Sequence, residues 1–90
     1  MVNMWEIRFT KNAEKDKEKL KRAGLVEKAK KLLNLIADNP HQTPPSYEKL
    51  SGDLEGYCSR RINIQHRLVY KVRNDLHVVV VHAMWSHYGD

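Results

Sequence analysis

Arg60, Arg61, Arg67, His87 and Tyr88 are the residue types of this chain that suit chemistry on a phosphate ester. An arginine presents a planar fork that can donate two parallel hydrogen bonds to a phosphate. A histidine exchanges its proton near neutral pH, so His87 can serve as an acid or a base. Tyr88 can stack on a nucleobase or simply cover a sheet edge. Arg60-Arg61 precedes a turn and Arg67 follows it, so a hairpin brings one member of the pair beside Arg67. Two like charges side by side on a sheet are unfavourable unless an anion or a carboxylate joins them. Glu48, Asp53 and Glu55 could supply the carboxylate; a bound phosphate is the other candidate. Loop parity decides which arginine is involved, because a one-residue slip exchanges the two faces of a strand. An odd loop or a bulge selects Arg61, and an even loop selects Arg60.

Other polar residues point less clearly to a site. His77, His82 and His87 recur every five residues, which on a strand sets His82 on the face opposite the other two and argues against a shared zinc ion. Cys58 has no neighbouring redox or nucleophile motif and reads as a packing residue. Neither a glycine-rich phosphate loop nor a zinc-finger spacing is present. A helix-turn-helix across Gly24 would need a recognition helix, and none stands out.

The elements that must position these residues follow from periodicity. Trp5–Thr10 alternates apolar and polar, as a half-buried strand does. Thr10 or Asn12 can cap the helix that follows. Lys11–Ala23 is strongly charged, with a thin stripe of Ala13, Leu20 and Ala23, and Gly24 interrupts it. Leu25, Ala29, Leu32, Leu33 and Ile36 then line one face of a second helix. Asn39-Pro40 ends that helix, and residues 39–56 read as a connecting loop, with a short strand or turn near Tyr47–Leu50. Tyr57–Ile62, Arg67–Arg73 and His77–Trp85 are rich in β-branched and aromatic residues and form an antiparallel meander. Val78–Val81 is apolar on both faces and belongs in the middle of the sheet. The predicted architecture is a single α+β domain over residues 1–90, ordered βααβββ, with two helices packed on a small antiparallel sheet.

Composition agrees with one small domain. The chain has 90 residues, 41% of them hydrophobic and 30% charged, enough for a single core and too few for two. One cysteine excludes an intramolecular disulfide framework and a cysteine-rich zinc site. No apolar run approaches a membrane span, and the N-terminus has no signal-like apolar stretch, so the expected compartment is the cytoplasm. The net charge of +5 favours a polyanionic partner. Residues 1–31 hold 10 basic and 5 acidic side chains, whereas residues 32–90 hold 6 of each. The surplus therefore sits on the helices, away from the arginine and histidine cluster.

The run Tyr57-Cys58-Ser59-Arg60-Arg61-Ile62-Asn63-Ile64-Gln65-His66-Arg67-Leu68-Val69-Tyr70 resembles the Ser-Arg-Arg-Ile…His-Arg-Leu-Val-Tyr signature of YoeB/Txe toxins, members of the RelE superfamily of bacterial toxin–antitoxin systems. Tyr47-Glu48-Lys49-Leu50 and Gly52–Gly56 resemble that family's glutamate-containing loop, and His87-Tyr88 its terminal His-Tyr pair. The resemblance implies the RelE-like microbial RNase fold and a metal-independent endoribonuclease, without a cofactor, that cuts messenger RNA in the ribosomal A site. By motif position Glu48 would be the general base, His87 the general acid and Arg67 the phosphate-binding group. Arg61, Arg60, Tyr88 and Lys49 would contact substrate. Glu48 would pair with an arginine until RNA displaces it. The partners implied are a cognate antitoxin, the ribosome and its mRNA, and not a membrane; a homodimer is left open. Two positions depart from the family pattern: Ser51 stands where relatives often carry lysine, and Gly89-Asp90 follow the tyrosine. The alternatives are a ribosome- or RNA-binding relative that cleaves weakly, and an interaction protein acting mainly in antitoxin-dependent DNA-binding repression.

Overall fold

Alternation in the first segment produces strand β1, Glu6–Phe9, with Glu6 and Arg8 exposed and Ile7 and Phe9 packed against the core. The computed structural model describes residues 4–87. Thr10 caps helix α1, Lys11–Arg22, its hydroxyl oxygen accepting from the Ala13 N–H at 3.2 Å. Gly24 then turns the chain at φ 71°, a left-handed conformation that costs a residue without Cβ little. Helix α2 runs Val26–Asp38 and buries Ala29, Leu32, Ile36 and Ala37. Strands β2 (Glu48–Lys49), β3 (Tyr57–Arg61), β4 (His66–Arg73) and β5 (Val78–His87) follow, with a single 3₁₀ turn at Gly52–Leu54 between β2 and β3.

These strands form one sheet in the order β1-β5-β4-β3-β2. The α+β class and the two helices on one sheet are as the sequence indicates. The sheet is mixed, however, not wholly antiparallel, because β1 joins β5 in parallel with Ile7 opposite Val79 and Phe9 opposite Val81. Strand direction is invisible to local periodicity. What the pattern does dictate is that Val78–Val81 needs neighbours on both edges, and β1 and β4 supply them.

Helices α1 and α2 cover one face of the sheet, where Ala13, Leu20, Ala29, Leu32 and Ile36 pack against Leu68, Tyr70, Val79, Val81 and Met84. Strand β5 pairs with β4 irregularly: Tyr70 lies opposite Val81, Val69 opposite Ala83 and Arg67 opposite Ser86. The extra residues on β5 are β-bulges, which free backbone groups from the ladder. The start of α1 satisfies them. Thr10 Oγ1 and Asn12 Nδ2 donate to the His82 carbonyl at 2.9 and 3.3 Å, and the buried Asp16 carboxylate accepts the Met84 N–H at 2.9 Å. No helix among the described residues is long and apolar enough to cross a membrane.

Candidate active site

The face of the sheet turned away from the helices carries Arg61 and Arg67. Arg61 lies directly opposite Arg67 in the β3–β4 ladder, and the tight turn between them is closed by Ile62 and Asn63 amides donating to the His66 carbonyl. Asn63 Oδ1 accepts from the Gln65 and His66 amides at 3.0 and 2.7 Å, a side-chain turn that fixes the hairpin register. Register therefore answers the parity question in favour of Arg61.

Arg60 points the other way, and its expected role as a substrate contact is corrected. Its side chain is fully buried. Nε donates to the Tyr70 hydroxyl at 2.9 Å, Nη1 to the Pro45 carbonyl at 2.6 Å, and Nη2 to the Pro40 and Gln42 carbonyls at 3.0 and 2.8 Å. The guanidinium also lies 4.8 Å from the centre of the Tyr47 ring. A planar cation with several fixed donors can collect neutral acceptors in this way, so the buried charge is held without a carboxylate. Its effect is to fasten residues 40–47 onto the sheet, and that segment delivers Glu48 to β2. Burial pushes the Tyr70 hydroxyl above its ordinary range, against the opposing pull of the Arg60 hydrogen bond and charge.

Glu48 pairs in register with Ser59 on β3. Together with Pro45, Ser46, Tyr47 and Arg61 they line a cleft of about 300 Å³. Glu48 is exposed at its rim, and no ion pair to it is present among the described residues; the expected pairing with an arginine is not formed. Ser59 and Val69 are opposite each other one strand further in, so Glu48, Ser59 and Val69 make a row across three strands, and Arg61 and Arg67 make the next row on the same face. Lys49 is separated from this group. It alternates to the other face, opposite Cys58, and lines a different cleft with His41, Leu50 and Val72. Burial there pushes the Cys58 thiol up, with Lys49 and Arg60 opposing, in keeping with an unreactive packing residue.

His87 closes β5 opposite His66, beside the Ser86–Arg67 pair. The backbone thus brings it to the same end of the sheet as Arg61 and Arg67. Its side chain, and Tyr88 entirely, lie outside the described residues. His66 is buried and stacks on Trp85 with centroids 4.0 Å apart.

A further cleft, of about 420 Å³, lies elsewhere. Phe9, Leu20, Val26, Leu33 and Met84 line it on the helical side, with Lys17, Lys21 and Lys30 around them. It sets Glu18 among those lysines but holds no arginine, whereas the cleft of about 300 Å³ sets Glu48 beside Arg61. Among the described residues no group of three or more His, Cys, Asp or Glu is placed to hold a metal ion. Sequence reasoning passed over two residues: Asp16, whose polar side chain reads as helix surface, and Ser59. The signal for Ser59 was available, since it alternates with Arg61 and must share its face.

The family described as YoeB-like toxin of bacterial type II toxin-antitoxin system matches residues 6–88. The toxin YoeB of Streptomyces coelicolor is 43% identical over 56 residues, an alignment covering 62% of this chain and 67% of that one. A corresponding match to toxin YoeB of Synechocystis covers 59% of its length. Among solved structures, a YoeB/ParE toxin from Agrobacterium tumefaciens superposes with a TM-score of 0.81 at 33% identity, covering 92% of this chain and 99% of that one. The toxin of the YoeB-YefM complex from Staphylococcus aureus gives 0.77 at 32% identity, over 96% and 100% of the two chains, and the Staphylococcus toxin is also known as a dimer.

Proposed function

This chain belongs to the YoeB-like toxins of bacterial type II toxin–antitoxin systems, and from that premise we propose that it is a ribosome-dependent endoribonuclease that cuts mRNA in the A site. The observation that carries the proposal is the Arg61–Arg67 pair set beside Glu48 on the open face of the sheet. Two arginines opposite each other on one face can grip a phosphate through their planar forks, and an RNA phosphate is the anion that also gives the neighbouring carboxylate a role.

In the proposed reaction Glu48 takes the proton of a ribose 2′-OH. The 2′ oxygen attacks the adjacent phosphorus while the bond to the 5′ oxygen breaks. Arg67, with Arg61, carries the additional negative charge of the pentavalent transition state, where fixed donors help most. His87 returns a proton to the departing 5′ oxygen. The products are a 2′,3′-cyclic phosphate and a free 5′-OH, and the need for a 2′-OH restricts the substrate to RNA. Tyr88 would pack against substrate. No metal or cofactor takes part in this scheme.

The lysine-rich helices lie across the sheet from the cleft, which suits them to contact ribosomal RNA or an acidic antitoxin while mRNA enters the cleft. A cognate antitoxin is proposed as the regulator, as in the YoeB-YefM complex, and the cytoplasm as the compartment.

The test is to add the purified protein to translating ribosomes and map mRNA ends. Wild-type protein should cut, and Glu48→Ala, Arg67→Ala and His87→Ala should each slow cutting by roughly 10²- to 10⁴-fold. Cleavage unaffected by all three substitutions would overturn the residue assignment. Tight ribosome association without cleavage would replace it with a binding role, and operator-DNA binding only by the antitoxin complex with repression.

A further inference from the structure

One polar group in the cleft is buried without a partner. Ser59 is 0% exposed, and its hydroxyl makes no hydrogen bond. Buried hydroxyls are nearly always paired, because leaving one unpaired forfeits its hydration for nothing in return. A strand interior lined by Val69 and Ala83 would accept alanine at this position as readily. The hydroxyl therefore stands at a cost to the fold, in the wall of the cleft that holds Glu48 and Arg61.

We infer that Ser59 is a positioning residue for Glu48: its hydroxyl donates to the Glu48 carboxylate when RNA fills the cleft, and fixes the oxygen that receives the 2′-OH proton. The inference rests on the endoribonuclease reading. Glu48 and Ser59 are direct partners in the β2–β3 ladder, which sets their Cβ atoms about 5 Å apart. That gap is closed by one carboxylate rotamer. Glu48 is exposed and unconstrained by an ion pair among the described residues, so the carboxylate is free to turn inward once substrate covers it. Arg60 contributes from beneath, because residues 40–47 that lead into β2 are fastened to its guanidinium.

The alternative is that Ser59 merely fills space, and the two differ in kinetics, since either way removal of the hydroxyl should stabilise the fold. Ser59→Ala should raise Tm by about 2 to 5 °C, since an unpartnered buried hydroxyl is removed with almost no change in volume. The same substitution should lower kcat for cleavage on programmed ribosomes by roughly 10- to 100-fold, the value of one hydrogen bond to a charged group, with KM unchanged. In a Glu48→Gln background Ser59→Ala should cause little further loss, because both act through one carboxylate. Ser59→Thr, which keeps the hydroxyl, should retain most of the activity. An unchanged kcat in Ser59→Ala, a fall in its Tm, a full additional loss in the Glu48→Gln background, or a folded Ser59→Thr as slow as Ser59→Ala would each overturn the inference. Failure of the wild-type protein to cut would instead overturn the endoribonuclease reading beneath it, and normal cutting by Glu48→Gln would overturn the assignment of Glu48 as the base.

Discussion

Arg60 and Arg61 are neighbours of one residue type with opposite fates. Alternation along β3 sends Arg60 to the helical side, where the Tyr70 hydroxyl and three carbonyls take up its donors. It sends Arg61 to the open side, opposite another arginine. A cation enclosed by fixed acceptors is part of the fold, whereas Arg61 stands exposed on the face that carries Glu48. The most damaging way to break this contrast is Arg60→Leu, which leaves the Gln42 and Pro45 carbonyls without their Arg60 donor, the Tyr70 hydroxyl without the donor it accepts from, and the Pro40 carbonyl with Tyr70 alone. The loss should be about 3 to 5 kcal/mol, a large share of the stability of a domain this small. Arg60→Lys should recover little, because an ammonium lacks the planar fork that reaches acceptors on three sides. Arg61→Ala should change stability by less than about 0.5 kcal/mol while slowing cleavage. Urea denaturation of the three variants beside a ribosome assay measures both halves.

Tyr70 sharpens the contrast at smaller cost. Its hydroxyl accepts from Arg60 and donates to the Pro40 carbonyl at 3.2 Å. Tyr70→Phe should cost about 2 kcal/mol. It should also change the alkaline behaviour of the protein. Because burial holds this hydroxyl above its ordinary range, the unfolded chain loses the proton first as pH rises. The stabilisation is then complete below a pH of about 10 and is lost as pH climbs through the higher value of the folded state. Urea midpoints measured from pH 8 upward should decline above about pH 10 in the wild type, and less steeply in Tyr70→Phe. Equal slopes would show that Tyr70 does not govern the alkaline limb.

The same contrast marks what the sequence makes legible. Helices, strands and the central place of Val78–Val81 follow from apolar period, since burial is repeated over many residues. The cluster of Arg61, Arg67 and His87 at one end of the sheet follows from hairpin logic. The parity of the turn does not, because it hangs on the Asn63 side chain bonding two amides. Neither does the parallel docking of β1, which involves residues more than 70 positions apart. Arg60 reads as a substrate contact from its residue type, its place before the turn and its position in the family motif. Its burial depends on carbonyls of a loop that has no periodic signal. Lys49 fails for a simpler reason: one position of alternation carries it from the face of Glu48 to the face of Cys58.

The mildest test concerns Thr10, which serves the closed side of the molecule twice. Its hydroxyl oxygen accepts the Ala13 N–H at the start of α1, and its proton is donated to the His82 carbonyl where β5 bulges. Thr10→Ala removes both bonds, but Asn12 also reaches that carbonyl, so the acceptor is not left bare. The cost should be that of an N-cap, about 1 kcal/mol, or a fall in Tm of roughly 4 to 8 °C. Thr10→Ser keeps the hydroxyl and should stay within about 0.5 kcal/mol of the wild type. Below the melting range both variants should cleave within about twofold of wild-type rate, because neither hydrogen bond lies on the face that carries Glu48, Arg61 and Arg67. A larger kinetic loss in Thr10→Ala, at a temperature where the protein is folded, would mean that the bulged strand transmits its geometry across the sheet. The two faces would then not be independent, and the division drawn between Arg60 and Arg61 would have to give way to one in which the closed side sets the position of His87.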